Sequence, residues 1–284
     1  MSQPWRILFT GKNRGAYNMA IDAAVLKAVE ERRSPPTLRF YGWEPYCVSL
    51  GYFQKPTEEF DAAALQERGW DFVLRATGGR AVLHAEEITY SLIARRDEAP
   101  WCATLGLSFD RIAQALAQAL DGFGLAIFRP GVGAIHELPL RRGPGLPCFA
   151  STSRAELAFG ERKVVGSAQR RTREAFLQHG SIPMTPKHER LVEVLQLSEG
   201  QRAAYLEALQ NHAISLSEIQ SLPSGGLEEQ FPKLAKVMLQ VLKESGEVGF
   251  LTQQETDEAN ELEKTHLRRQ AAFFKEAKRV IIPS

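Results

Sequence analysis

Between Leu74 and Ser91 the chain reads LRATGGRAVLHAEEITYS. A short apolar run, Phe72-Val73-Leu74, stops at Arg75. Paired glycines follow at Gly78 and Gly79, then Arg80, and Ala81-Val82-Leu83-His84 leads the chain away again. Two apolar runs around such a turn call for a sheet. Glycines let the main chain take positive φ and approach a ligand closely. The flanking arginines suit an anion such as a phosphate. The same residues also describe a plain hairpin turn with surface arginines. The spacing is neither a P-loop nor a dinucleotide fingerprint, because no helical pattern opens after the glycines.

The rest of the chain sets that loop in an α+β context. Trp5 to Thr10 reads as a first strand, and Gly15 to Arg33 as an amphipathic helix with Met19, Ile21, Val25, Ala28 and Val29 at helical spacing. Asn18 and Asp22 near its start suit a helix N-terminus. Thr37–Trp43 and Cys47–Phe53 are rich in β-branched and aromatic residues and are split by Gly42 and Pro45, which predicts two strands. Phe60 to Arg68 is a short helix closed by Gly69, and Ile88 to Ala94 is the strand returning from the glycine loop. Ser108 is the expected N-cap of a helix through Phe109, Ile112, Leu116 and Leu120, which Gly122 and Gly124 end. Leu125 to Phe128 reads as a strand, and Pro130 to Pro147, with four glycines and four prolines, as a long loop of the kind that is often functional. Residues 156–159, 163–169 and 176–183 predict an antiparallel meander. From Lys187 on the pattern is helical, and Leu227 to Arg279 reads as a charged helical appendage. Antiparallel hairpins dominate, so the expected fold is a mixed or antiparallel sheet with helices packed on it.

At 284 residues, 44% hydrophobic, the chain is long enough for one large domain with a small appendage. A net charge of +1 gives no bulk argument for nucleic acid or an anionic membrane. Cys47, Cys102 and Cys148 are odd in number and lack ligand spacing, so neither a disulfide framework nor a zinc site is expected. No charged-then-apolar segment opens the chain and no apolar run reaches membrane-spanning length, so the expected location is cytoplasmic.

Four residue types carry possible chemistry. Cys148 ends the Gly/Pro-rich loop, off any apolar face, just before Ser151-Thr152-Ser153; Cys47 sits in a strand-like run and reads as core. Lys163 opens an apolar strand. Drawn into a cleft, its charge would polarise a carbonyl oxygen or stabilise a thiolate. His84 and His179 are each either a general base for a thiol or a structural histidine holding a loop. Arg170, Arg171 and Arg173 form a solvated face or meet an acidic carrier protein.

Two stretches, Arg75–His84 (RATGGRAVLH) and Gly160–Gln169 (GERKVVGSAQ), resemble the biotin/lipoate protein ligase superfamily. So do Asn18-Met19-Ala20-Ile21-Asp22, Leu38-Arg39-Phe40-Tyr41 and Ser49-Leu50-Gly51-Tyr52, all in the expected order between about Trp5 and Met184. Arg80 stands where an ATP-dependent ligase usually has a third glycine. Pro147-Cys148-Phe149, fifteen residues before Lys163, is similar to the cysteine-dependent octanoyltransferases of the LipM type. Ala85 departs from that family, which commonly has Asp after the loop histidine.

The resemblance implies a biotin/lipoate ligase-like catalytic domain over 1–226 and a helical C-terminal extension over 227–284. It implies transfer of an octanoyl group from octanoyl-acyl carrier protein, through a cysteine thioester, to a lipoyl-domain lysine. The acceptor would be a glycine cleavage H protein or a 2-oxoacid dehydrogenase E2. No cofactor is needed, because the donor carries its own phosphopantetheine. Cys148 would be the nucleophile and Lys163 would stabilise thiolate and oxyanion. Arg75, Gly78, Gly79, Arg80, His84, Gly166 and Ser167 would border the substrate, with Tyr41, Val82 and Val165 as walls for the acyl tail. No nucleic acid and no membrane would be involved. Three other readings stay open: an amidotransferase between lipoyl-domain proteins, an ATP-dependent lipoate ligase, and a non-catalytic acyl-domain binding protein.

Overall fold

The computed structural model describes residues 3–101, 104–122, 157–221 and 227–280. In chain order, β1 (Trp5–Asn13) and α1 (Gly15–Glu30) are followed by β2 (Thr37–Trp43) and β3 (Cys47–Leu50). Then come the short helices α2 (Pro56–Glu59) and α3 (Ala62–Glu67), β4 (Asp71–Leu74), β5 (Val82–His84), β6 (Glu87–Arg95) and α4 (Leu105–Asp121). The later part holds β7 (Leu157–Phe159), β8 (Arg162–Arg171), β9 (Ala175–Pro183), a 3₁₀ segment (Pro186–Val194), α5 (Glu199–His212) and α6 (Leu216–Ile219). It ends with α7 (Phe231–Leu242), β10 (Gly246–Val248) and α8 (Gln253–Val280). The strands expected over 125–128, the loop over 130–147, and Cys102 and Cys148 lie outside the described residues.

The large sheet runs β10-β1-β2-β6-β9-β8-β7, and a small one runs β4-β3-β5. β1 pairs in parallel with both β10 and β2, while β2·β6, β6·β9 and β8·β9 are antiparallel. This is the mixed, largely antiparallel sheet that the sequence predicts. Period-two alternation splits its faces. Leu38 and Phe40 of β2 and Ile88, Tyr90 and Leu92 of β6 join Ile112 and Leu116 of α4 and Phe231 and Leu234 of α7 in one apolar core. The alternate residues Arg39, Tyr41, Glu87, Thr89 and Ser91 are also buried, under α1 and the small sheet. A sheet with one apolar and one polar buried face has a reason to keep the second.

α1 lies between that polar face and α8. Ala20, Ala24 and Ala28 are fully buried, so small side chains let the neighbouring elements approach. Asp22 is not at a helix N-terminus as expected; it sits in the second turn and is 2% exposed. α4 begins earlier than the sequence suggests. Thr104 caps it by accepting from the Leu107 N–H, and Ser108 lies inside the helix, its hydroxyl donating to the Leu105 carbonyl.

The segment from 227 on contains a strand as well as helices, and it does not stand apart. β10 extends the large sheet at Trp5, where Gly246 has no room for a side chain: a Cβ there would lie 2.5 Å from Leu239 and 3.0 Å from the Trp5 carbonyl. α7 enters the main core and α8 packs along α1. Arg6 of β1 donates to both oxygens of Glu255 in α8 at 2.7 Å, and Glu255 also accepts from the Ser34 hydroxyl and the Thr252 N–H. Burial alone would raise the Glu255 carboxyl; the Arg6 bond and the Thr252 N–H outweigh it, and the group sits below its usual value. No described helix is long and apolar enough to cross a membrane.

Breaking a buried pair strands the partner charge, at about 3–5 kcal/mol. Glu255→Ala is expected to lose stability on that scale in chemical denaturation. The double change Arg6→Met with Glu255→Leu is expected to lose much less.

Candidate active site

The polar face of the large sheet supplies the floor of a slot. Register places Tyr41 beside Thr89, Thr89 beside Ser181 and Ser181 beside Gly166, one residue from each of β2, β6, β9 and β8. The next such row is Arg39, Ser91, His179 and Ala168. Val82 and His84 of β5, Ser49 of β3 and Arg75 close the slot from above, and Met19 of α1 lines it too. About 420 Å3 free of atoms lies within this lining, the part open to solvent included.

Two buried hydrogen-bond networks hold it. The first is centred on Asp22. Arg39, fully buried, donates to Asp22 Oδ1 at 2.6 Å and to the Asn18 side-chain oxygen at 2.7 Å, and lies 3.8 Å over the Tyr41 ring. The Tyr41 hydroxyl donates to Asp22 Oδ2 and the Ser91 hydroxyl to Oδ1. His179 Nδ1 faces Asp22 Oδ2 at 3.7 Å, and its Nε2 bonds the Thr77 hydroxyl at 2.7 Å. Burial alone would raise Asp22; Arg39 and then His179 outweigh it, and the carboxyl sits below its usual value. Burial pushes the His179 imidazole down, against the attraction of Asp22. The motifs at Asn18–Asp22 and Leu38–Tyr41 are thus two halves of one network.

The second network is centred on Glu87. Its carboxylate accepts from the Thr89 and Ser181 hydroxyls and pairs with His84 Nδ1 at 2.7 Å. With Nδ1–H donated to that carboxylate, His84 Nε2 accepts from the Ser49 hydroxyl at 2.7 Å. Trp43 stacks on the His84 ring, centroids 4.0 Å apart, and its indole N–H donates to Thr89. His84 therefore uses both ring nitrogens within the protein, while His179 bonds Thr77 through Nε2 and faces Asp22 through Nδ1 without a hydrogen bond. The two hold β5 and the glycine loop.

The loop itself is a scaffold more than an anion cradle. Arg75 is 4% exposed and directs its guanidinium inward, to the Ser49 carbonyl and hydroxyl and to the Gly78 and Arg80 carbonyls. Gly79 takes a φ of +95°. Its carbonyl fills the place a side chain at Gly51 would need, 1.8 Å from a Cβ built there. Gly51 of the Ser49–Tyr52 motif is therefore a seat for the loop.

The structure brings Arg75, His84, Tyr41, Val82, Gly166 and Ser167 together in the slot lining. Gly79 and Arg80 are exposed at the loop tip, Gly78 is half-buried there, and Val165 sits in the main apolar core. Lys163 does not line the slot but is buried, 1% exposed, in the strand that does. Cys47 is buried against Gly15, and burial, with Asp71 and Glu87 nearby, pushes its thiol well up. Ala85 packs in the apolar cluster under the small sheet; the acid partnering His84 is Glu87. Sequence reasoning missed Glu87, Ser181, Thr89, Trp43 and Met19. The readable signal was polar Thr89 and Ser91 alternating with Ile88, Tyr90 and Leu92; the partners across the sheet had none. Among the described residues, no group of three or more His, Cys, Asp or Glu side chains could hold a metal ion.

A slot under a glycine loop, between two sheets, sits in a lipoate ligase-like α+β fold. A bi-partite lipoate protein ligase from Thermoplasma acidophilum, described with its E2 lipoyl domain, shares that fold at a TM-score of 0.73, with 22% identity and 92% of each chain covered. The family model of the lipoyl protein ligase A/B catalytic domain matches residues 14–230, and the chain belongs to that family. It is 38% identical to octanoyltransferase LipM of Kyrpidia tusciae over 93% of this chain and 97% of the relative. It is 42% identical to the protein of the same name from Moorella thermoacetica, over 77% and 79%. Within the family the chain is an octanoyltransferase, an acyltransferase.

Because His179 is pushed down from its unfolded value near 6.5, the unfolded chain binds more protons as pH falls below that value. Its contribution to stability is complete above that pH and is lost as pH falls through the lowered folded value. Thermal melts are expected to show the midpoint falling from pH 7 to pH 5. The slope should be shallower in His179→Gln, and not flat, because burial depresses His188 and His266 as well.

Proposed function

We propose that the protein takes an octanoyl group from the phosphopantetheine thioester of an acyl carrier protein and passes it, through a thioester on Cys148, to a lysine of a lipoyl domain. The observation that carries this reading is the slot floored by Gly166 and Ala168, with a buried lysine, Lys163, at the head of the same strand. Arg75 supports it from the other side. Its guanidinium is turned to the protein's own carbonyls, an arrangement that does not favour a phosphate there.

The chemistry needs no nucleotide. The Cys148 thiolate attacks the donor carbonyl, a C–S bond forms to Cys148, and the bond to the carrier breaks with release of its thiolate, which takes up a proton from water. The neutral amine of the acceptor lysine then attacks the new thioester, loses its proton, and the Cys148 thiolate leaves as the amide forms. Exchange between thioesters is nearly balanced and amide formation is downhill, so covalent catalysis divides one hard step into two. Lys163 supplies the cation that favours the thiolate and the oxyanion. The slot takes the octanoyl tail, with Tyr41 and Val82 on its walls. The acceptor class follows from the family: a lipoyl domain, of a glycine cleavage H protein or a 2-oxoacid dehydrogenase E2.

Incubation with octanoyl-acyl carrier protein, without ATP, is expected to add one octanoyl group by intact mass. The adduct should be absent in Cys148→Ser and reduced at least about tenfold in rate in Lys163→Ala. No adduct, with lipoylation that requires ATP, contradicts the reading. Octanoylated lipoyl-domain protein as the better donor points instead to an amidotransferase.

A further inference from the structure

The acyl slot has a neighbour. A second chamber, with a cavity volume of about 220 Å3, lies among α1, the far ends of β8 and β9, and α8. Ala23, Leu26 and Leu177 give it apolar wall, and the charged side chains of Lys27, Glu30 and Arg170 line it too. The slot and the chamber share two residues, Met19 and His179.

The two are not equivalent as a partition. His179 is tied to Thr77 at 2.7 Å and faces Asp22. Met19 is 6% exposed and packs with Tyr41, Trp43 and Val73, held by contact alone. An unbranched thioether fills such a gap and is easily replaced by a smaller or larger side chain. β8 gives the direction. It passes the slot at Gly166 to Ala168 and reaches the chamber at Arg170. At about 3.3 Å per residue, Ala168 lies roughly 16 Å along the strand from Lys163, and Arg170 about 7 Å further. A chain whose carbonyl reacts at the Lys163 end therefore points its methyl end toward the partition.

We propose that Met19 sets the acyl chain length: its side chain stops the far end of the slot, and removing it joins the slot to the chamber so that longer chains enter. The direction of the chain rests on the octanoyl-transfer reading above. The partition itself rests only on the two shared linings.

S-acyl-pantetheines from hexanoyl to dodecanoyl, titrated by calorimetry, test the partition without any transfer step. Wild-type affinity is expected to rise from hexanoyl to octanoyl and to fall by dodecanoyl. In Met19→Ala the dodecanoyl compound should gain about tenfold or more relative to octanoyl, the scale set by a few methylenes in an apolar site. In Met19→Phe the preference should move to hexanoyl. Melting curves establish that each variant is folded; should the alanine variant not be, Met19→Val is read by the same contrast. Wild-type and Met19→Ala profiles that coincide overturn the proposal. The paired assay loads acyl carrier protein with octanoyl or dodecanoyl groups and follows ATP-free adduct formation. A wild type that forms no adduct, beside a binding profile shifted in Met19→Ala, overturns the transfer reading and upholds the partition.

Discussion

Arg39 sits in the middle of the large sheet with no solvent exposure, and its guanidinium meets Asp22 at 2.6 Å. A buried ion pair gives little net stability, because both charges lose their water. It does fix geometry, since neither partner tolerates being left alone. Asp22 then accepts from Tyr41 and Ser91 and faces His179, and His179 holds Thr77 at the start of the glycine turn. The helix, three strands and the loop are all positioned by that one carboxylate. The Glu87 cluster repeats the arrangement for β5, through His84 and Ser49. The floor of the slot is rigid because both of its polar centres have their hydrogen bonds satisfied inside the protein.

The elements that alternate cleanly were legible in the sequence. Thr37–Trp43 matches β2 to the residue, and the strands of the meander match to within two residues at each end. What escaped has physical reasons. β10 is three residues long and owes its place to a parallel edge pairing with Trp5, which no local period announces. Ser108 looks like a cap, but Thr104 begins the helix a turn earlier. Glu87 and Ser181 meet across 94 residues of sequence, so their contact is set by sheet register alone. The polar residues of Asn18–Asp22 were visible; that they are the buried partners of Arg39 was not, since a helix start explains polar side chains equally well.

The glycine loop changes meaning once its contacts are known. Arginines beside glycines suggest a phosphate, yet Arg75 fastens the loop to Ser49, and Gly51 gives the loop backbone a seat. In the proposed reaction the loop shapes a slot for an alkyl chain and leaves bond-making to residues elsewhere. That division suits a donor that arrives as a thioester, where activation by ATP is unnecessary and the protein's task is to align a carbonyl, hold a tail and exclude water. It also accounts for one family serving both ligases and transferases: the fold supplies the slot, and the chemistry depends on what stands at its open end.

In the proposed reaction the octanoyl group rests on the protein between donor and acceptor. The most direct test isolates that species. The protein is acylated by octanoyl-acyl carrier protein, freed of donor by gel filtration, and mixed with an unmodified lipoyl domain in the absence of ATP. Octanoyl is expected to leave the enzyme and appear on the acceptor lysine in one turnover, and hydroxylamine treatment beforehand to remove it. An isolated acyl-enzyme that does not pass its group to the lipoyl domain would contradict transfer through a protein-bound thioester.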